Sequence, residues 1–390
     1  MTQSTIQGGA KPTSSASISL TPVQVPVSQT PTLSLSTTEI LTLEFNANDF
    51  ISDTIYENLR HYRPDSHSVQ KAITNSARNF DSIVTCFKAA GETLAQHGAA
   101  IIDHTSLTDL ALLRQWCSSL GTPMNYEGGT NVRQAQGDNV LSVGTEPPWA
   151  NVATHNKMSY AYRYPECFVI GCQAASPNIA PTMAGDNQLM THLLMSLPLG
   201  DKLQRLGVRY IRNFHDAKNS QDVDPAAALS IWQDVFNTAG PYEVPSRART
   251  RLSGDMDCEL LWLKDGKLRL TYQATAFEYD PKLNENLCFV SIGNHGYWFR
   301  QWAPFNTLPN RERPFHLQFG NGSEFSEVEL EQMAIIGNAS SFPIHWQAGR
   351  IALLDNRRYT HARPQYNLPK GGIRKLGVVL LNPVQRQGPR

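Results

Sequence analysis

The chain has 390 residues, and its 34 lysines and arginines balance its 34 aspartates and glutamates, so the formal net charge is zero. A neutral chain has no global field to steer it towards nucleic acid or an anionic membrane, which leaves only a local basic patch for such a partner. The length supports a sizeable core, as one large domain or two smaller ones, and no apolar run is long enough to span a bilayer.

Residues 1–38 are rich in Ser, Thr, Pro and Gln and carry little charge and almost no aromatic surface. Such a stretch buries too little to offset the entropy of ordering, so a disordered or loosely packed tail is expected there, with one domain over 39–390. The N-terminus lacks a basic region followed by an apolar core, so no secretory signal is expected and the expected location is cytoplasmic. "SARNFDSIVTCFKAAGETLAQHG" has apolar residues at helical spacing and ends on Gly98, a helix stop. "AAIIDH" reads as a short buried strand. "SLTDLALLRQWCSSLG" reads as a second helix, with Ser106 as cap and Gly121 at its end, and "YEGGTNVR" as a glycine-rich loop. From about residue 139 short strand-like runs dominate: "NVLSVG", "ECFVIGCQA", "VRYIRNF", "CELLWLK", "LRLTYQATAFEY", "LCFVSIG", "IALLD" and "LGVVLLN". "SEVELEQMAIIGNASS" interrupts them as a late helix. Many short strands with a few helices predict an α+β, mainly β chain: a sandwich or jelly-roll core wrapped by helices. The six cysteines, Cys86, Cys117, Cys167, Cys172, Cys258 and Cys288, form no CxxC pair and read as reduced, mostly buried thiols.

The order and spacing of "THNKMSYAYRYPECFVIGCQ", "APTMAGD", "LGVRYIRNFHD", "FGNGSEFSEVELEQM", "IALLDNRRYTHARPQY" and "GGIRKLGVVL" resemble the TauD/TfdA-like branch of the iron(II)/2-oxoglutarate-dependent oxygenases. The likeness runs from about residue 85 to the end and is greatest to members acting on amino acids in peptide natural-product pathways. It implies a double-stranded β-helix (jelly-roll) core with flanking helices. It also implies the cofactors Fe(II) and 2-oxoglutarate. The family holds iron with a His-x-Asp/Glu pair and a distant histidine, a facial triad that leaves three positions open. His155 matches the first histidine and His361 the second. The resemblance places Arg374 on the far carboxylate of the oxoacid, since a guanidinium fork matches a carboxylate and stays charged. Thr182 falls where relatives have a threonine in a glycine-rich turn, and reads equally as a loop residue. Gly129 and its neighbour Gly128 would let a substrate approach the backbone. Arg133 would meet an anionic group or lie solvated on a surface loop. Arg363 would bind a substrate carboxylate or order the site. His97, His104, His192, His215, His295, His316 and His345 read as structural histidines.

Lys157 stands where the family has its carboxylate ligand, and Val290 and Ser291 replace an Asn-Gln pair. An ammonium near iron(II) is repelled, and burial worsens the conflict. Lys157 would swing away and leave the corner to another ligand, bind the metal as a neutral amine, form a carbamate, or replace metal chemistry as a base, clamp or nucleophile. Three functions follow. The first is a variant oxygenase that hydroxylates, desaturates or closes a ring on an amino-acid-like or carrier-protein-bound small molecule in natural-product biosynthesis. The second is a metal-independent enzyme on the same fold, with Lys157 at the centre of a cyclisation or elimination. The third is a non-catalytic anion-binding protein.

Overall fold

The structure is a computed structural model that describes residues 74–390 apart from 104, 127–139, 143–146, 178, 220–230, 255, 302, 304 and 369. The expected tail, His104, the loop glycines Gly128 and Gly129, and Arg133 therefore lie outside the described residues. In chain order the strands and helices begin with β1 (Thr74–Ser76), α1 (Ile83–His97), β2 (Ala99–Asp103), α2 (Leu110–Cys117), β3 (Pro123–Met124), β4 (Leu141–Ser142), β5 (Val152–His155), β6 (Arg163–Ala175) and β7 (Thr182–Asp186). An insertion follows: α3 (Asn187–Met195), α4 (Pro198–Leu206), β8 (Val208–Phe214), α5 (Trp232–Phe236), α6 (Val244–Ala248), β9 (Cys258–Trp262), β10 (Leu268–Ala274), β11 (Phe277–Asp280), β12 (Glu285–Cys288), α7 (Ile292–Trp298), β13 (Phe315–Phe319) and α8 (Glu327–Ala339). The chain closes with β14 (Ser341–Ile344), β15 (Ile351–Asp355), β16 (Tyr359–Arg363) and β17 (Arg374–Gln385).

Two sheets build the core. The larger runs β1-β2-β15-β6-β17-β3, with β4 also on β17, and the smaller runs β14-β7-β16-β5. The chain shuttles between them. β5, β6 and β7 fall in the small, large and small sheet, and β14, β15, β16 and β17 in the small, large, small and large sheet. That alternation of antiparallel strands between two facing layers is a double-stranded β-helix.

Period-two patterning divides the large sheet. Ala99, Ile101, Phe168, Ile170, Cys172, Ala352, Leu354, Leu376, Val378 and Leu380 enter the cluster inside the β-helix. Their alternates Ala100, Ile102, Cys167, Val169, Ile351, Leu353, Val379 and Leu381 enter a second cluster with residues of α1 and α2. Strands with both faces covered read as continuous apolar runs, which is why "IALLD" and "LGVVLLN" show no polar alternation. The insertion adds a third antiparallel sheet, β13-β8-β10-β9, and the β11-β12 hairpin. Among the described residues no helix is long and apolar enough to cross a membrane. All six thiols are free, and only Cys258 is partly exposed.

Several local expectations need correction. Helix α1 starts at Ile83, where the Ser82 hydroxyl accepts from Thr85 N–H, rather than near Ser76. Gly98 does stop it, in a left-handed conformation at φ 77° with its N–H on Leu94 O. Helix α2 is capped by Asp109, not Ser106, and ends at Cys117, before Gly121. The carboxylate accepts from Ala111 N–H at 3.0 Å and leaves Leu107 free to pack into the outer cluster. In "LCFVSIG" the strand ends at Cys288 and α7 begins at Ile292, a short apolar run whose period could not separate strand from helix.

Helix α2 lies close on the central strand because Gly171 of β6 has no side chain; a Cβ there would sit 2.9 Å from Leu113. Leu113→Ala opens a cavity at this fully buried contact and is expected to cost about 2–5 kcal/mol. Denaturant unfolding should show the loss as a lower midpoint with an unchanged slope.

Candidate active site

β5 and β16 are antiparallel neighbours, and His155 and His361 are direct partners in their ladder. Opposed residues on paired strands project from the same face, so the two imidazoles meet with ring centroids 4.2 Å apart and planes at 44°. The register shifts immediately afterwards, between His361 and Arg363, a bulge that re-aims the strand end. His155 Nδ1 lies 2.9 Å from the Ala153 carbonyl. That carbonyl can only accept, so Nδ1 carries the proton in this contact. Phe168, on the inner face of β6, supports the His361 ring at 4.8 Å.

Lys157 follows β5 in a turn that is held from two sides. Asn356, between β15 and β16, accepts from Lys157 N–H at 2.7 Å and donates to Lys157 O at 2.8 Å and Pro165 O at 3.0 Å. Asn156 donates in return to Asn356 O at 2.8 Å. From the insertion, Tyr210 donates to Ser159 O and Tyr272 to Tyr160 O, and Arg386 donates to Ser159 O. Met158 is left at φ 57°, an uncommon conformation for a residue with a Cβ, which persists only where its surroundings over-determine it. The Lys157 side chain is 4% exposed, and its Nζ lies 5.1 Å from the centre of the Tyr126 ring.

One cavity collects these groups. Its walls include His155, Lys157, Thr182, His361, Arg363 and Arg374, with Phe168, Ile170 and Val378 from the inner face of the large sheet. The cavity has a volume of about 80 Å³. Thr182 opens β7 and is buried; its hydroxyl oxygen accepts from Trp346 Nε1 at 3.0 Å, which leaves the hydroxyl proton to donate elsewhere. Arg374 opens β17 opposite Ala175. The Tyr366 ring lies 5.2 Å from the Arg363 guanidinium and 5.7 Å from that of Arg374. Arg363 donates to the carbonyls of Pro147 and Ala150 at 3.1 and 3.0 Å, so it fastens the segment leading into β5. The described lining residues thus carry three cationic side chains, Lys157, Arg363 and Arg374, and no carboxylate.

The structure brings six of the eight sequence-derived candidates to one cavity; Gly129 and Arg133 lie outside the described residues. It also adds residues that sequence reasoning left out. Asn294 and His295, on α7, line the same cavity. Burial, then the neighbouring His155 and Arg212, hold the His295 imidazole well below its ordinary pKa and therefore neutral. Its ring packs on Phe315 at 3.9 Å. Among the described residues, Asn294 Oδ1 and His295 Nδ1 are buried without a hydrogen-bond partner, a cost of about 1–3 kcal/mol each. Asn356 was equally hidden, because nothing in "LLDNRR" marks it as the anchor of a turn 199 residues away.

No protein-family model matches the chain. It is 22% identical over 254 residues to a clavaminate synthase-like protein of Arabidopsis thaliana, a stretch covering 63% of this chain and 70% of the relative. Among solved structures it is similar to a taurine dioxygenase from Burkholderia xenovorans, at 15% identity and TM-score 0.45 over 81% of this chain and 89% of that one. It is also similar to PvcB from Pseudomonas aeruginosa, at 12% identity and TM-score 0.42 over 78% and 84%. An asparagine oxygenase solved with Fe(II), 3-hydroxyasparagine and succinate matches at 13% identity and TM-score 0.40 over 76% and 83%.

Asn356→Ala removes the partners of the buried Lys157 N–H and C=O at once. It is expected to lower stability by about 3 kcal/mol, read by denaturant unfolding. The same change made at the exposed Asn321 should cost under about 1 kcal/mol.

Proposed function

We propose that the chain is a variant non-haem iron and 2-oxoglutarate-type oxygenase that hydroxylates, desaturates or closes a ring on an amino-acid-like small molecule or a carrier-bound intermediate in natural-product biosynthesis. The observation that carries this reading is the meeting of His155 and His361 across one strand pair, in a cavity that also holds Arg374 and Thr182. The likeness to the clavaminate synthase-like relative points the same way.

The donor set fits the oxoacid fully and the metal partly. Two imidazoles, one with its tautomer fixed by Ala153 O, suit Fe(II). Among the described residues no group of three His, Cys, Asp or Glu side chains is placed to hold a metal. His155 and His361 would hold the iron, and Arg374 with the Thr182 hydroxyl would bind the oxoacid's carboxylate. When bound, iron and 2-oxoglutarate supply oxygen activation coupled to decarboxylation of the oxoacid. Lys157 stands at the remaining corner of the site. Phe168, Ile170 and Val378 give that space an apolar wall.

A second reading is favoured by the burial of Lys157 and the two-sided hold on its backbone. Here the reaction needs no metal, and the Lys157 amine acts as acid, base or nucleophile in a desolvated pocket.

Protein purified without oxygen should take up one iron per chain and release succinate from 2-oxoglutarate. Activity that survives chelators and anaerobic conditions would contradict the oxygenase. Lys157→Glu separates the two readings. The oxygenase predicts iron binding tighter by roughly tenfold or more, with 2-oxoglutarate turnover kept or raised. Tighter iron with complete loss of the native reaction would instead assign the chemistry to the lysine.

A further inference from the structure

We propose that Arg386, with Glu278 as its counter-ion, is a positioning residue for the proposed reaction: one buried guanidinium sets the spacing between the turn that carries Lys157 and helix α7, two parts of the cavity lining. This rests on the oxygenase reading of the cavity and assigns control of its shape to a residue outside its lining.

Arg386 stands one residue past β17, where its backbone N–H donates to Tyr162 O at 2.8 Å. Its side chain is 5% exposed and that of Glu278, on β11, is 2% exposed. Each nitrogen of the fork has a partner. Nε donates to Glu278 Oε1 at 3.0 Å. Nη1 donates to Ser159 O, two residues past Lys157. Nη2 donates to Thr275 O at 2.7 Å, between β10 and β11, and to Phe289 O at 3.4 Å, just past β12. The Phe289 ring centre lies 5.2 Å from the guanidinium. Glu278 is equally engaged: Oε1 also accepts from Gly388 N–H at 3.2 Å, and Oε2 from Gln387 N–H at 3.0 Å. A buried pair matched in this way holds one geometry, because moving either partner strands the charge of the other.

Two of the three carbonyls belong to segments that shape the cavity. Ser159 O follows the turn of Lys157 and also accepts from the Tyr210 hydroxyl at 3.2 Å. Phe289 lies three residues before α7, whose Asn294, His295 and Trp298 line the cavity. The next residue, Val290, accepts from Asn156 N–H at 3.4 Å, so the two segments also meet directly beside Lys157. Helix α7 packs on β5, the strand of His155. Arg386 spans these same segments from outside the cavity. Arginine is required for this: its planar fork of five N–H groups reaches three carbonyls and a carboxylate at once, whereas a lysine ammonium delivers its charge at one point. A misplacement of about 1 Å in orienting groups can cost on the order of 10²-fold in rate. Arg374 and Thr182, which would bind the oxoacid, open β17 and β7 and are not among these contacts. Loss of the fork should therefore fall on turnover and spare the affinity for the oxoacid.

The test uses the full chain and compares Arg386→Lys with Leu113→Ala, a destabilised control in the outer cluster. Two quantities are read on folded protein: succinate release from 2-oxoglutarate with Fe(II) supplied, and amide hydrogen exchange. Arg386→Lys should lower kcat for succinate release by about tenfold or more, with KM for 2-oxoglutarate kept within about twofold. Its amides should exchange at least about tenfold faster over residues 156–162 and 292–298, with residues 376–381 unchanged. Leu113→Ala should keep kcat. An unchanged kcat, a change confined to KM, uniform acceleration of exchange, or an equal fall of kcat in Leu113→Ala would each overturn the proposal. If Arg386→Lys does not fold, Tyr210→Phe decides on both quantities. It removes the other donor to Ser159 O and should lower kcat by about threefold, the size of one weak hydrogen bond, with faster exchange over 156–162. No change in either quantity would overturn the proposal. If the wild type releases no succinate, the oxygenase reading fails, and the exchange pattern alone judges Arg386.

Discussion

The register of β5 against β16 is the constraint on which the cavity depends. His155 and His361 are 206 positions apart in the chain and meet only because the ladder makes them direct partners. A slip of one residue would turn every side chain of β16 to the opposite face and send His361 away from the cavity. The register is fixed from several directions. β16 also pairs with β7 along Tyr359–Ala362, Phe168 packs on the His361 ring, and Asn356 ties the turn before β16 to the turn after β5. Backbone pairing, apolar packing and one buried amide therefore enforce the same alignment.

Charge is the second organising feature. The chain is neutral as a whole, yet the described lining of this cavity is cationic. Lys157, Arg363 and Arg374 are borne by different segments and meet at its walls. Arg363 is also tied to the carbonyls before β5, and Tyr366 lies against both guanidinium groups.

Some of this was readable from residues alone. The buried strands of the large sheet announced themselves as apolar runs, and His155, His361, Arg374 and Thr182 stood in short segments of ordered spacing. What stayed hidden depended on the fold closing. Asn294 and His295 lie at the end of a stretch that looked like a strand, and their place in the cavity comes from the insertion folding back over β5. Asn356 has no local signature, since its partners are supplied by another part of the chain. Asp109 took the cap expected of Ser106 because packing of Leu107 and Leu110 sets where α2 begins. Local pattern marks residue types suited to a chemistry, and long-range packing decides which of them share a space.

The account turns on two imidazoles, those of His155 and His361, holding a metal beside Lys157. X-ray absorption at the iron edge, on anaerobic protein loaded with Fe(II) and 2-oxoglutarate, addresses this directly. The account predicts two imidazole nitrogens with oxygen donors from small ligands, and loss of that signature in His155→Ala and His361→Ala. Iron that fails to bind, or a spectrum that both substitutions leave unchanged, would contradict it.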